Sequence, residues 1–113
     1  MKKEIKEKWI KALRSEEYKK GSYALKNTNK YCCLGVLCDL VKDEVDGKWK
    51  DDIFCINEEY SKNILLEKVM KFCDLKNVNP IITMNGNIYP ISHLNDYYEY
   101  SFKELADLIE EQL

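Results

Sequence analysis

The chain has 113 residues, of which 45% are hydrophobic and 34% charged, with four Gly and two Pro; this suits one folded domain and excludes two-domain and low-complexity readings. No uninterrupted apolar run approaches the roughly 20 residues that cross a bilayer, and Met1-Lys-Lys-Glu-Ile-Lys-Glu-Lys lacks the apolar core of a secretory leader, so a cytoplasmic protein is expected. The net charge of −2 divides into about +5 over residues 1–50 and −7 over 51–113, and the overall acidity argues against nucleic-acid binding while leaving room for a small anionic ligand.

Ile5, Trp9, Ala12 and Leu13 fall on one face of a helix predicted over 3–14, and the lysines from Lys2 to Lys11 interleave with Glu4 and Glu7 on its solvated face. Gly21 is expected to supply a positive φ at the break that follows. Residues 22–26 alternate, with Tyr23 and Leu25 on one side, and with Tyr31-Cys32 they read as a short hairpin. Residues 33–41 are almost wholly apolar and predict a buried central helix. Gly35 inside it costs about 1 kcal/mol relative to Ala, which points to a second backbone packed against it. Asp46-Gly47 marks a turn, after which 48–56 reads as a strand carrying Trp49, Ile53 and Phe54. A third helix is predicted over 64–72, with Leu65, Val69, Phe72 and Cys73 inward. Asn85-Gly86 between two apolar runs predicts a hairpin with a type I′ turn. Ser92 and Ser101 are both expected as N-caps, and Ser101-Phe-Lys-Glu104 fits a capping box opening a last helix. The fold class is therefore α+β, with about four helices packed on small antiparallel hairpins in one domain, 1–113.

The five cysteines, Cys32, Cys33, Cys38, Cys55 and Cys73, are odd in number, and no disulfide framework is predicted. Cys32-Cys33-x4-Cys38 lacks a paired knuckle, and the single histidine, His93, lies far along the chain, so buried thiols are favoured over a metal site and no cofactor is expected. A thiol enzyme would draw on Cys33 or Cys38 with His93 and Asn95 or Asp96. Cys32, at the entry to the central helix, is the better nucleophile, because apolar burial raises the pKa of the other two thiols.

Three segments carry a resemblance: Trp9-x-x-Ala12-Leu13-Arg14-Ser15-x-x-Tyr18-x-x-Gly21; Tyr31-Cys-Cys-Leu-Gly-Val-Leu-Cys-Asp39; and Leu94-Asn-Asp96 followed by Ser101-Phe102 and an Ile-Glu-Glu-like tail. Together they resemble a family of small bacteriophage and prophage proteins, and they span nearly the whole chain. The pattern is broken where Glu16 stands in place of a usual Gly, where Lys20 replaces a common Gln, and in the loop 97–100, which has one extra residue and lacks the usual Gly. The resemblance implies origin rather than chemistry. Within it, the candidate ligand-binding residues are Arg14, Tyr18, Asp39, Asn95, Asp96 and Tyr98. Arg14, the only arginine, offers a planar fork suited to phosphate or carboxylate, set against a helix-end or Asp39/Asp96 pairing role. Asp39 must emerge or find a partner beside an apolar helix. Asn95 and Asp96 suit turn formation or ligand contact, and the loop tyrosines suit stacking or an interface. The resulting expectation is a non-catalytic binding protein acting in a host cytoplasm against a defence system. It would sequester a nucleotide-derived signal in a homo-oligomeric pocket around Arg14, Tyr18 and the tyrosine loop. The alternative is an inhibitor docked on a host defence protein.

Overall fold

A computed structural model describes the whole chain, residues 1–113. Helix α1 (Lys3–Arg14) buries Trp9, Ile10, Ala12 and Leu13 and packs along the C-terminal helix α5 (Phe102–Gln112) and across the central helix α2 (Cys33–Val41). Trp9 sits at the crossing, where its indole N–H donates to the Cys33 carbonyl at 2.9 Å, which satisfies a polar atom inside the core. The Cys32 thiol caps α2 by accepting the Gly35 N–H at 3.4 Å. At Gly35 the expected second backbone is that of Leu25: a Cβ on Gly35 would land on the Leu25 carbonyl, far inside contact distance.

Between α1 and α2 the expected short hairpin forms, but only over Lys26–Asn27 and Lys30–Tyr31, with a third, parallel strand added on its other side. Strands β1 (Lys19–Lys20) and β2 (Lys26–Asn27) flank β3 (Lys30–Tyr31), with β1 parallel and β2 antiparallel to it. Tyr23 and Leu25 do not share a side. Tyr23 adopts a left-handed φ of 69° and is 60% exposed, whereas Leu25 is fully buried. Nor does Gly21 supply a positive φ; its place is a close approach, since its N–H donates to Tyr31 at 2.7 Å and a Cβ would crowd Lys30. The positive φ after α1 falls instead on Glu16, at 66°.

The single strand expected over 48–56 is two, β4 (Gly47–Lys50) and β5 (Ile53–Ile56), turned at Asp51. A third strand, β6 (Glu59–Ser61), completes an antiparallel meander whose Phe54 and Ile56 enter the core. Helix α3 (Glu67–Phe72) starts later than expected because Leu65 N–H is spent on Val78 and Leu66 is the extended N-cap. Leu65, Val69 and Cys73 are buried as expected, but Phe72 is half-buried, with the Lys2 ammonium 4.3 Å from its ring centre. The Asn85-Gly86 hairpin forms, with φ of 50° and 79° joining β7 (Ile81–Met84) to β8 (Asn87–Pro90). A fifth helix, α4 (Ile91–Asp96), follows directly. Its N-cap is Pro90, and Ser92 lies inside it, bonded to Asn79 through both its backbone N–H and its side chain. Ser101 caps α5 in a full capping box with Glu104. A core cluster of 27 buried residues draws on all five helices and on the β5 and β7 strands, which makes the fold α+β around one core.

Candidate functional site

The three sequence segments singled out above meet in space. Tyr18, from the turn after α1, donates its hydroxyl to Asp39 Oδ2 at 2.7 Å; Lys42 Nζ and Trp49 Nε1 donate to Oδ1 at 2.8 and 3.0 Å. Asp39 thus finds its partners in Tyr18, Lys42 and Trp49 rather than in Arg14. Burial alone would raise the Asp39 carboxyl, but the three hydrogen bonds and the Lys42 charge outweigh it and hold its pKa below the ordinary value. The same contact acts in reverse on the partners: burial and the Asp39 bond push the Tyr18 phenol up, and the Asp39 bond pushes Lys42 up. Tyr31 stands edge-on between Tyr18 and Trp49, with ring centres 5.1 and 5.9 Å apart, and Lys26 lies over Tyr31 and Trp49 at 5.7 and 5.3 Å. The cluster is saturated from within: the chain's own donors and cations occupy its carboxylate and ring faces.

Asn95 is the only buried polar or charged side chain, and it joins all three segments. Its Oδ1 accepts the Cys33 N–H at the start of α2, and its Nδ2 donates to the Gly21 carbonyl at 3.0 Å and to Asp96 Oδ1 at 2.7 Å. Lys20 Nζ donates to the Asn95 carbonyl at 2.7 Å. Asn95 is a tertiary cross-link rather than a local turn-former, and Asp96 orients its amide.

Arg14 lies apart from both clusters. Its guanidinium donates to Asp107 at 2.7 Å and to Glu110 at 3.3 Å, both on α5, and these bonds raise its pKa. Tyr98 lies apart as well, edge-on to Tyr89 with ring centres 5.4 Å apart. Arg14, Tyr18 and Tyr98, expected around one pocket, therefore make their contacts in three places. An open cleft of about 270 Å³ does adjoin Tyr18, lined also by Leu13, Glu16, Lys20, Ser101, Phe102 and Lys103.

Cys33 and Cys38 are fully buried and Cys32 nearly so; burial raises all three thiols, Cys32 to about 11. His93 is exposed and edge-on to Tyr97 at 5.3 Å, with no hydrogen bond to any thiol, so the Cys–His arrangement drawn from the sequence is not assembled. No group of three or more His, Cys, Asp or Glu side chains is placed to hold a metal ion, and no helix is long and apolar enough to cross a membrane.

With this geometry in view, a family model described as a domain of unknown function (DUF8296) matches residues 1–113. The chain belongs to that family. No curated protein and no solved structure matches it.

In this family member the most exposed large side chains that gather together are tyrosines: two from the loop 97–100 and Tyr23, which the sequence pattern placed inside a hairpin. Tyr23 and Tyr97, 60% and 65% exposed, meet edge-on at 5.5 Å, and the next residue, Tyr98, meets Tyr89 in a second edge-on pair at 5.4 Å. The Asn63 side chain donates to the Tyr23 carbonyl at 2.8 Å, holding this bulky residue in its left-handed conformation. Tyr97 and Tyr98 were legible from their place in the loop after Asp96, Tyr98 as a named ligand-binding candidate; Tyr23 was not. Lys42 was missed as the Asp39 partner although its i, i+3 helical spacing is a signal that points to it, whereas Trp49 and Tyr23 reach their partners across other elements.

Proposed function

We propose that this chain is a non-catalytic binding protein of phage type that acts in the host cytoplasm by docking on a protein of a host defence system. The observation that carries the reading is the tyrosine face: Tyr23, Tyr97 and Tyr98 stand largely in solvent, with His93 beside Tyr97, and Tyr23 is held at a φ of 69° that costs an aromatic residue roughly 1–2 kcal/mol. Conformations of that kind collect at sites of function, and rigid aromatic side chains with polar tips supply much of the energy at protein interfaces. The resemblance to phage proteins supplies the setting. Docking ranks ahead of the nucleotide pocket expected from sequence because the Arg14 guanidinium is taken up by two carboxylates of α5.

A second reading keeps one supporting observation. Lys20 and Lys103 flank the Tyr18 cleft with the Ser101 hydroxyl, a set suited to a small anion. At about 270 Å³ the cleft falls below the roughly 300–1,000 Å³ of ordinary ligand pockets, so a nucleotide would need a second subunit to close over it.

The two readings separate in paired experiments. Capture from host lysate should recover one protein with the wild type and lose it with the Tyr23→Ala/Tyr97→Ala double variant, while a calorimetric screen of cyclic and NAD-derived nucleotides gives no heat. Equal recovery by both proteins, or saturable heat with a nucleotide that Lys20→Ala removes, would overturn docking.

A further inference from the structure

Six of the eight strands lie at the edge of a sheet. Four of the six carry charge: β1 has Lys19 and Lys20, β2 has Lys26, β4 has Lys48 and Lys50, and β6 has Glu59. Charges on an edge strand discourage pairing with foreign chains. β7 carries none, yet its edge is covered. The Gln112 side chain accepts the Thr83 N–H at 2.8 Å and donates to the Thr83 carbonyl at 2.9 Å, the pair of bonds a neighbouring strand would make. β8, Asn87-Ile-Tyr-Pro90, has neither charge nor cover.

The register determines what this edge offers. Thr83 and Ile88 are directly opposite in the antiparallel ladder, and such partners either exchange both backbone bonds or turn both away from each other. Thr83 turns its two groups outward to Gln112, so Ile88 turns its own N–H and C=O outward from the other edge. None of the turn, loop and cap bonds of the backbone uses them. Ile88 is 67% exposed, and Ile81, Thr83 and Pro90 share its face of the hairpin, so the outward surface beside the open edge is largely apolar.

We infer that β8 is a self-association edge: two copies of the chain pair antiparallel about a two-fold axis at Ile88, joining their hairpins into a four-stranded sheet. Each Ile88 N–H donates to the other copy's Ile88 carbonyl, and the two isoleucine side chains lie next to each other on the apolar face. The occupant is a second copy because the edge is its own complement, with one donor and one acceptor on a single residue and no charge on either side. A longer foreign strand finds no further donor, since the next outward-facing residue is Pro90, which has no N–H. The inference does not depend on docking through the tyrosine face, and its test uses no partner.

Sedimentation velocity over a concentration series tests it, together with amide exchange at Ile88. The wild type should pass from monomer to dimer, and the Ile88 amide, exposed in dilute solution, should become protected as dimer forms. Ile88→Lys adds the missing edge charge and Ile88→Pro removes the donor; each should weaken association roughly tenfold or more, with melting and helix content unchanged. Tyr23→Asn should dimerise as the wild type does. A wild type that stays monomeric throughout the series would overturn the inference. So would dimers that leave the Ile88 amide unprotected, and that reading holds even if both Ile88 variants fail to fold.

Discussion

Gly35 shows how closely α2 is fitted. A methyl group there meets the Leu25 carbonyl, which is backbone and cannot rotate aside, so Gly35→Ala should cost about 3 kcal/mol or more, read as a lowered denaturant midpoint. At Glu16 the effect has the opposite sign. Its φ is 66°, in the left-handed region that favours glycine, as is that of Glu99 in the loop 97–100, at 52°. The backbone holds a glycine-like conformation with a glutamate in it. Glu16→Gly should therefore stabilise the protein by about 1 kcal/mol, the Glu16–Lys103 pair at 3.8 Å on an exposed surface contributing little against this. Tyr23→Asn should separate fold from function. Asparagine tolerates left-handed backbone, so stability should stay within about 1 kcal/mol of wild type while partner capture falls. A loss of capture that only tracks a loss of folded protein would refute a functional role for Tyr23.

Between elements, the polar links carry the predictions. Asp39 joins the turn after α1, the end of α2 and β4, and its pKa is depressed. Its contribution to stability is therefore complete above the usual carboxylate range and is lost as pH falls through the lowered value. The stability gap between wild type and Asp39→Asn should be constant from neutral pH to about pH 4 and should close in more acid solution. A gap that widened toward acid would contradict the assignment. Asn95→Ala leaves the Cys33 N–H and the Gly21 carbonyl without their side-chain partner and should cost about 2–3 kcal/mol in equilibrium unfolding.

The elements were legible to different degrees, for physical reasons. The end helices, the central helix and the Asn85-Gly86 hairpin could be read because periodicity, capping residues and turn chemistry agree within a few residues. Around β3 the hairpin could be read, but its short extent and the parallel β1 could not, because two-residue strands carry no periodic signal and the φ of Tyr23 is held by a contact from Asn63. The candidate residues followed the same division: Asp39 and Tyr18 were singled out individually, but their mutual bond, and the pairing of Arg14 with α5 instead, are properties of how α1, α2 and α5 pack.

For the whole molecule, the basic and acidic halves of the sequence meet in ion pairs where α5 packs on α1 and the turn after it. Asp107 and Glu110 of α5 hold Arg14 of α1, so a cation that looked free for a ligand is internally neutralised. This exposed pair contributes at most modestly to stability, and Arg14→Ala should change the unfolding free energy by no more than about 1 kcal/mol. It should also leave partner capture intact, because the guanidinium lies away from the tyrosine face. The native mass spectrum of the protein drawn gently from host cells tests the central claim most directly. The account predicts complexes of this chain with one host protein, absent when Tyr23 and Tyr97 are replaced by Ala; a retained nucleotide-sized mass, or the same complexes from wild type and double variant, would contradict it.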